Sequence, residues 1–168
     1  MTDSTANEPT ADGSRLQYIE DLRVGQSWEP GSVTFTESEV LAFAEEFDPQ
    51  PFHVDPEAAG RHFDGLIASG WHTAAACMRP FATEVLSDVA VVAALGIEDL
   101  RWHAPVYPGD TLSVAVSVVD TEPWNDRRGK VTFGLDATDG DGDRVHSRKD
   151  LVLVERRSPD TGAGNGDR

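Results

Sequence analysis

Lysine and cysteine are nearly missing from this 168-residue chain, which holds two lysines, two methionines and a single cysteine. A lone Cys77 closes no intrachain disulfide and has no cysteine neighbour for a thiolate metal site, so disulfide scaffolds and zinc ribbons are excluded. It reads as small core filler. No apolar run approaches the roughly 20 residues that cross a bilayer. The polar opening MTDSTANEPTADG also lacks the basic-then-apolar layout of a secretory leader, and a cytoplasmic protein without membrane contact is expected. Positive charge is scarce as well, at 14 basic against 30 acidic residues and a net charge of −16. Binding nucleic acid by counterion release needs a cationic face, so no nucleic-acid partner is expected. The acidic excess resembles that of halophilic proteins, whose carboxylates keep them hydrated in concentrated salt; an acidic mesophile is the alternative. The charge is uneven: residues 1–60 carry 13 acids and 2 bases. An anionic ligand is therefore expected to lean on the second half.

The hydrophobic content of 39% suits one folded domain with a real core, expected over residues 15–157. Residues 1–14 and 158–168 are small and polar and are expected to be disordered. Segment 22–35 reads as an edge strand pair broken at Pro30-Gly31. Thr36 and Glu39 form a capping box opening a helix with an apolar face of Val40, Phe43, Ala44 and Phe47, ended by Asp48-Pro49. PQPFHVDP follows as an irregular loop. From Ser69 to about Leu86 the chain is apolar nearly all round at first, predicting a helix buried on most sides, with a kink or shifted boundary at Pro80. Runs 89–95, 97–107, 111–124, 130–138 and 144–154 alternate between turn signals and predict a long antiparallel sheet. The expected class is α+β, a curved antiparallel β-sheet wrapped around a long central helix.

Asp48 and His53 stand five apart on a stretch stiffened by Pro49 and Pro51. An acid and an imidazole act on one water only if both are held within hydrogen-bond reach of it, and a proline-pinned segment has less freedom to lose. Spacing alone equally allows a helix-terminating Asp48 and a turn residue His53. The stretch Asp48-Pro49-Gln50-Pro51-Phe52-His53, however, resembles the hydratase motif of the MaoC-like, (R)-specific enoyl-CoA hydratase family. Phe63-Asp64-Gly65-Leu66-Ile67-Ala68-Ser69-Gly70-Trp71-His72-Thr73 is similar to the family's glycine turn into its central helix. Arg101-Trp102 through Pro105-Val106-Tyr107-Pro108-Gly109-Asp110-Thr111-Leu112 is similar to its strand and Pro-Gly-Asp turn. The likeness runs over about residues 18–155 in the family's order.

That resemblance implies a hot-dog fold and a hydro-lyase acting on an acyl-coenzyme A thioester. It makes Asp48 and His53 the acid/base pair holding the reacting water, and Gly70 the residue whose N–H helps form an oxyanion hole. It implies syn addition to a trans-2-enoyl thioester giving an (R)-3-hydroxyacyl product. The order of the proton transfers stays open, because coupled groups share their titration. A glycine at a helix start would admit the thioester oxygen to the amide, where the helix's positive end favours the developing charge. The family's usual asparagine is Gln50 here, one methylene longer, which bears on the loop's hydrogen bonding. Substrate contact is expected from Pro51, Phe52, Ser69, Trp71 and His72. Trp71 equally reads as packing, Ser69 as a helix cap and His72 as a core imidazole. No cofactor is expected beyond the coenzyme A carried by the substrate, and a homodimer or dimer-based higher oligomer is expected because a lone hot-dog protomer leaves a sheet edge open.

His103 reads as a strand residue in the core or at its rim, and His62 and His146 as surface residues. His53, His62, His72 and Cys77 lack metal-ligand spacing, so no metal is expected. The coenzyme phosphates have nine candidate partners, Arg101, Arg127, Arg128, Lys130, Arg144, Arg148, Lys149, Arg156 and Arg157, most of them read as solvated strand-face charges. Two alternatives compete. A hot-dog thioesterase needs an acid aimed at the carbonyl from the central helix, which offers only Glu84, beyond Pro80. A non-catalytic acyl-binding module would have no chemical need for the Asp48/His53 pair.

Overall fold

Residues 16–157 are described by a computed structural model, and the two ends expected to be disordered lie outside them. Strands β1 (Ser27–Thr34), β2 (Val91–Trp102), β3 (Thr111–Asn125), β4 (Arg128–Thr138) and β5 (Arg144–Glu155) form one antiparallel sheet in the order β1-β3-β4-β5-β2. Alternation decides which face each strand buries. On β3, Leu112, Val114, Val116 and Val118 are buried while Thr111, Ser113 and Ala115 are exposed, the two-residue period of a half-buried strand. Helices α1 (Glu37–Phe47) and α4 (Gly70–Glu84) are joined by two short helices, α2 (Pro51–Val54) and α3 (Pro56–Ala59). The long helix α4 packs on β1 and β3, and its Phe81 meets Phe133 of β4 edge to face at 5.3 Å. This is the hot-dog architecture implied by the resemblance.

Several local expectations are corrected. Segment 22–35 holds one strand, because Pro30 lacks an N–H and the chain absorbs it as an irregularity of register between Trp28 and Gly31. Runs 89–95 and 97–107 fuse into β2 up to Trp102: Gly96 sits at a register slip against a continuous β5 instead of a turn. Residues 103–110 leave the sheet, and Gly109 takes φ 95° in the Pro-Gly-Asp turn, a conformation that favours glycine. The capping box at Thr36 and Glu39 is present and α1 buries Val40 and Ala44, but Phe47 is 65% exposed.

Helix α4 runs through Pro80 and buries one face only: Thr73, Ala74, Cys77, Pro80 and Phe81 point inward, whereas Trp71, Ala75 and Arg79 are exposed. A single sheet covers one side of a helix, so the expected burial on most sides is not reached within one chain. β2 is likewise an edge strand, with Val91, Leu95, Ile97 and Trp102 exposed.

Strand β5 carries the least expected feature. His146, Arg148 and Asp150 share one face by the strand's alternation, and all three are buried, which corrects the surface reading of His146 and the solvated reading of Arg148. Arg148 donates from Nε to Asp150 Oδ2 at 2.9 Å and from a terminal nitrogen to the Ala74 carbonyl of α4 at 2.6 Å. The ion pair thus pins helix to sheet. Removing one partner leaves a buried charge uncompensated, so Arg148→Ala is expected to cost about 3–5 kcal/mol. Replacing both, as Arg148→Met with Asp150→Leu, should recover most of that in a denaturant titration. A single-variant loss below about 1 kcal/mol would show that solvent already reaches the pair.

Candidate active site

Helix α1 stops at Phe47, and Asp48 is its C-terminal cap, with its N–H bonded to the Ala44 carbonyl. The segment expected as an irregular loop is instead two single-turn helices, because Pro51 and Pro56 each occupy a first-turn position where a missing N–H costs nothing. This rigid path buries the His53 ring in α2, 5% exposed, where a free loop would leave it in water. His53 Nδ1 lies 2.9 Å from the Ile67 carbonyl. A carbonyl only accepts, so Nδ1 carries the hydrogen and Nε2 keeps its lone pair when the ring is neutral. The backbone returns the link, with Ile67 N–H donating to the Phe52 carbonyl, and Phe52 sets its ring edge against the imidazole at 4.5 Å.

His53 Nε2 faces Asp48 Oδ2 at 3.4 Å. The carboxylate is held from two other directions: Ser69 Oγ–H donates to Oδ2 at 2.6 Å, and the Gln50 amide donates to Oδ1 at 2.8 Å. The longer Gln50 side chain therefore reaches back to the acid itself. The Ser69 hydrogen bond is the main cause holding Asp48 below the usual carboxylate range. Partial burial opposes it, and Gln50 and the neighbouring His53 assist it. At neutral pH Asp48 is an anion that accepts hydrogen bonds. Ser69 also caps α4, accepting from the Trp71 N–H at 3.2 Å, so one buried hydroxyl ties the acid to the start of the long helix.

A largely apolar cleft of about 280 Å3 opens beside the pair, lined by His53, Ile67, Gly70, Trp102, His103 and Pro105 among others. Gly70 opens α4, so its N–H is one of the donors that the first helical turn leaves without an intrahelical acceptor. His53 and Gly70 thus both line one cavity, and Asp48 adjoins the imidazole. Such a site can orient one water against an acceptor whose charge grows at the amide.

The other expected contact residues scatter. Pro51 is exposed at the start of α2, Phe52 backs the imidazole, and Ser69 bonds Asp48. Trp71 is 58% exposed and lies outside the cleft's lining. His72 is stacked on Phe43 at 4.8 Å and set against Phe35, and burial pushes its pKa down, as expected of a core imidazole. His103 lies outside any strand, on the rim of the cleft, with Nε2 2.8 Å from Ser147 Oγ. Glu84 is exposed at the last residue of α4.

Of the candidate phosphate partners, Arg148 is buried. Lys130, Arg144, Lys149, Arg156 and Arg157 are paired with Glu122, Asp136, Asp99, Glu20 and Asp21. Arg101 donates to the Leu100 carbonyl, and Arg127 and Arg128 stand exposed at the β3–β4 turn. Sequence reasoning missed Trp102 and His103 as cleft residues. Their only signal is that they precede the Pro105 turn within the segment carrying the family likeness.

The chain belongs to the MaoC-like domain family, whose model matches residues 21–140. It is 30% identical over 139 residues to the uncharacterized protein YdeM of Bacillus subtilis, covering 82% of this chain and 99% of that one. It is 31% identical over 116 residues to the (R)-specific enoyl-CoA hydratase of Rhodospirillum rubrum, covering 68% of this chain and 78% of the relative. A crystal structure of a MaoC-like dehydratase from Rhodospirillum rubrum superposes with a TM-score of 0.74 at 39% identity, over 85% of this chain and 99% of that one.

Because the Ser69 hydroxyl is the main cause of the lowered Asp48 pKa, Ser69→Ala should raise it toward the ordinary value of 3.8, read by carboxyl carbon chemical shift against pH. A depressed carboxylate stabilises the fold above its unfolded pKa, and that contribution is lost as pH falls through the lower folded value. In Ser69→Ala the acid-side loss should shrink. Removing the cap should also cost about 0.5–2 kcal/mol at neutral pH. An unmoved Asp48 titration would show that the hydroxyl does not hold the acid.

Proposed function

We propose that this protein is a hydro-lyase that adds water to a trans-2-enoyl-CoA, or removes it from the (R)-3-hydroxyacyl-CoA, with Asp48, His53 and Gly70 as its catalytic residues. The observation carrying this reading is the approach of His53 Nε2 to Asp48 Oδ2, 3.4 Å, at the edge of an apolar cleft. Two acceptors that close fit one water, each taking one of its hydrogens. His53 accepts the proton as the water oxygen bonds to C3. The imidazolium so formed rests against the Asp48 anion and then gives a proton to C2 on the same face of the former double bond. Negative charge passing through the thioester oxygen meets the Gly70 N–H and the positive end of α4. The one cofactor-like group required is the coenzyme A of the substrate. Ile67, Trp102 and Pro105 wall the acyl side.

The relatives' descriptions support this choice over ester hydrolysis, and so does the position of Glu84, exposed at the far end of α4. The exposed apolar edge of β2 supports a homodimer in which two β2 strands pair, satisfying their free backbone groups and covering Val91, Leu95 and Ile97.

The test supplies a short trans-2-enoyl-CoA, in dilute buffer and in molar potassium chloride, and follows loss of the conjugated double bond. Asp48→Asn and His53→Ala should each lower the rate by about 10²–10⁴-fold with folding intact. Release of free thiol would establish the thioesterase instead, and silence at every chain length the binding module. Sedimentation should give twice the chain mass, and Ile97→Lys should shift it toward the monomer; a stable monomer of the unaltered chain contradicts the dimer.

A further inference from the structure

Trp102 ends the edge strand β2 and lies on the first residue of α4. Its indole Nε1–H donates to the Gly70 carbonyl at 2.7 Å. A Cβ built on Gly70 would fall 2.4 Å from Cε2, 2.6 Å from Cδ2 and 2.8 Å from Nε1 of the same indole. These atoms belong to a rigid fused ring, so no side chain fits at position 70 while the indole stays in place. The glycine's smallness is thus demanded by a protein side chain, whatever room a ligand also needs.

The backbone that carries the indole is itself held. Trp102 pairs in register with His146 of β5, which is fully buried and donates from Nδ1 to the carbonyl of Arg101, the residue before Trp102. Trp71, next after Gly70, meets the Trp102 ring edge-on at 5.3 Å.

We infer that Trp102 is the positioning residue for Gly70: by holding the carbonyl of the Gly70–Trp71 peptide and lying where a Cβ would stand, it restricts both torsions of the glycine and so the direction of the Gly70 N–H, which belongs to the preceding peptide. The inference rests on the hydro-lyase reading above. A glycine at a helix start has the widest backbone freedom of any residue, and a donor serves a developing charge only when held within about 0.5 Å and 10–20° of its target. The hydrogen-bonded indole, lying where a Cβ would stand, removes that freedom. Trp102 also lines the cleft, so a plain wall is the competing role, and the two separate in kinetics. Loss of a wall weakens binding and raises KM, whereas loss of a fixed donor lowers kcat.

Gly70-Trp71 is the one glycine-tryptophan step in the sequence. Labelling glycine with carbonyl 13C and tryptophan with 15N therefore selects a single peptide. In Trp102→Phe, which keeps a ring and loses the N–H, that carbonyl resonance should move upfield. With the short enoyl-CoA substrate, kcat should fall about 10-fold, less than the 10²–10³ of losing a donor outright, with KM held within about twofold. In Gly70→Ala the inserted Cβ should displace the indole and move the Trp102 indole N–H resonance, a second reading should the Phe variant fold poorly.

An unmoved carbonyl, an unchanged kcat, or a raised KM at constant kcat each overturns the inference. An unaltered chain that hydrates no thioester overturns the hydro-lyase reading instead, and the carbonyl shift then decides alone whether Trp102 holds Gly70.

Discussion

One buried hydroxyl joins the two halves of the site. Ser69 Oγ donates to Asp48 at 2.6 Å and accepts the Trp71 N–H, so the carboxylate that ends α1 and the amides that open α4 share a single atom. A hydrogen bond to an ionised acceptor is about twice as strong as a neutral one, and its geometry is correspondingly narrow. Asp48 is thereby kept both charged and aimed. The His53 ring, held from its other nitrogen by the Ile67 carbonyl, can approach that carboxylate only at Nε2. If the hydroxyl were lost, the base would keep its place and the acid would lose its main restraint.

The sheet acts on this arrangement from the opposite side. The register of β2 on β5 sets buried His146 opposite Trp102, and Arg148 reaches the Ala74 carbonyl one turn into α4. Helix α4 is thus fixed at its first residue by an indole, one turn on by a guanidinium, and further along by apolar contacts around Cys77 and Phe81. Cys77 is a passenger in this, since burial raises its thiol to about 11 and leaves it an inert apolar filler. The buried charges are costly to bury, and what they supply is a single seating of the helix on a sheet that covers only one of its faces.

Local chemistry was legible where a single segment carries it. The Thr36 and Glu39 capping box, the stop at Asp48-Pro49 and the Ser69 cap are each written within a few residues, and each is present. Family likeness added the pairing of Asp48 with His53, which spacing alone left open between a site and a turn. Polarity misled the reading of β5, where His146 was read as a surface residue and Arg148 as a solvated charge, and both are buried. The two single-turn helices were hidden because prolines that mark a loop also start helices. The Trp102 to Gly70 bond joins residues 32 apart, and no periodicity or cap registers a contact of that kind.

In the proposed reaction one water, held by Asp48 and His53 on one side of the cleft, supplies both new atoms to the substrate. Hydration of a trans-2-enoyl-CoA in deuterium oxide tests it directly, because the product records the face used at C2 and at C3. A single diastereomer is expected, with deuterium and hydroxyl delivered to the same face. A mixture at C2, or delivery from opposite faces, would contradict it.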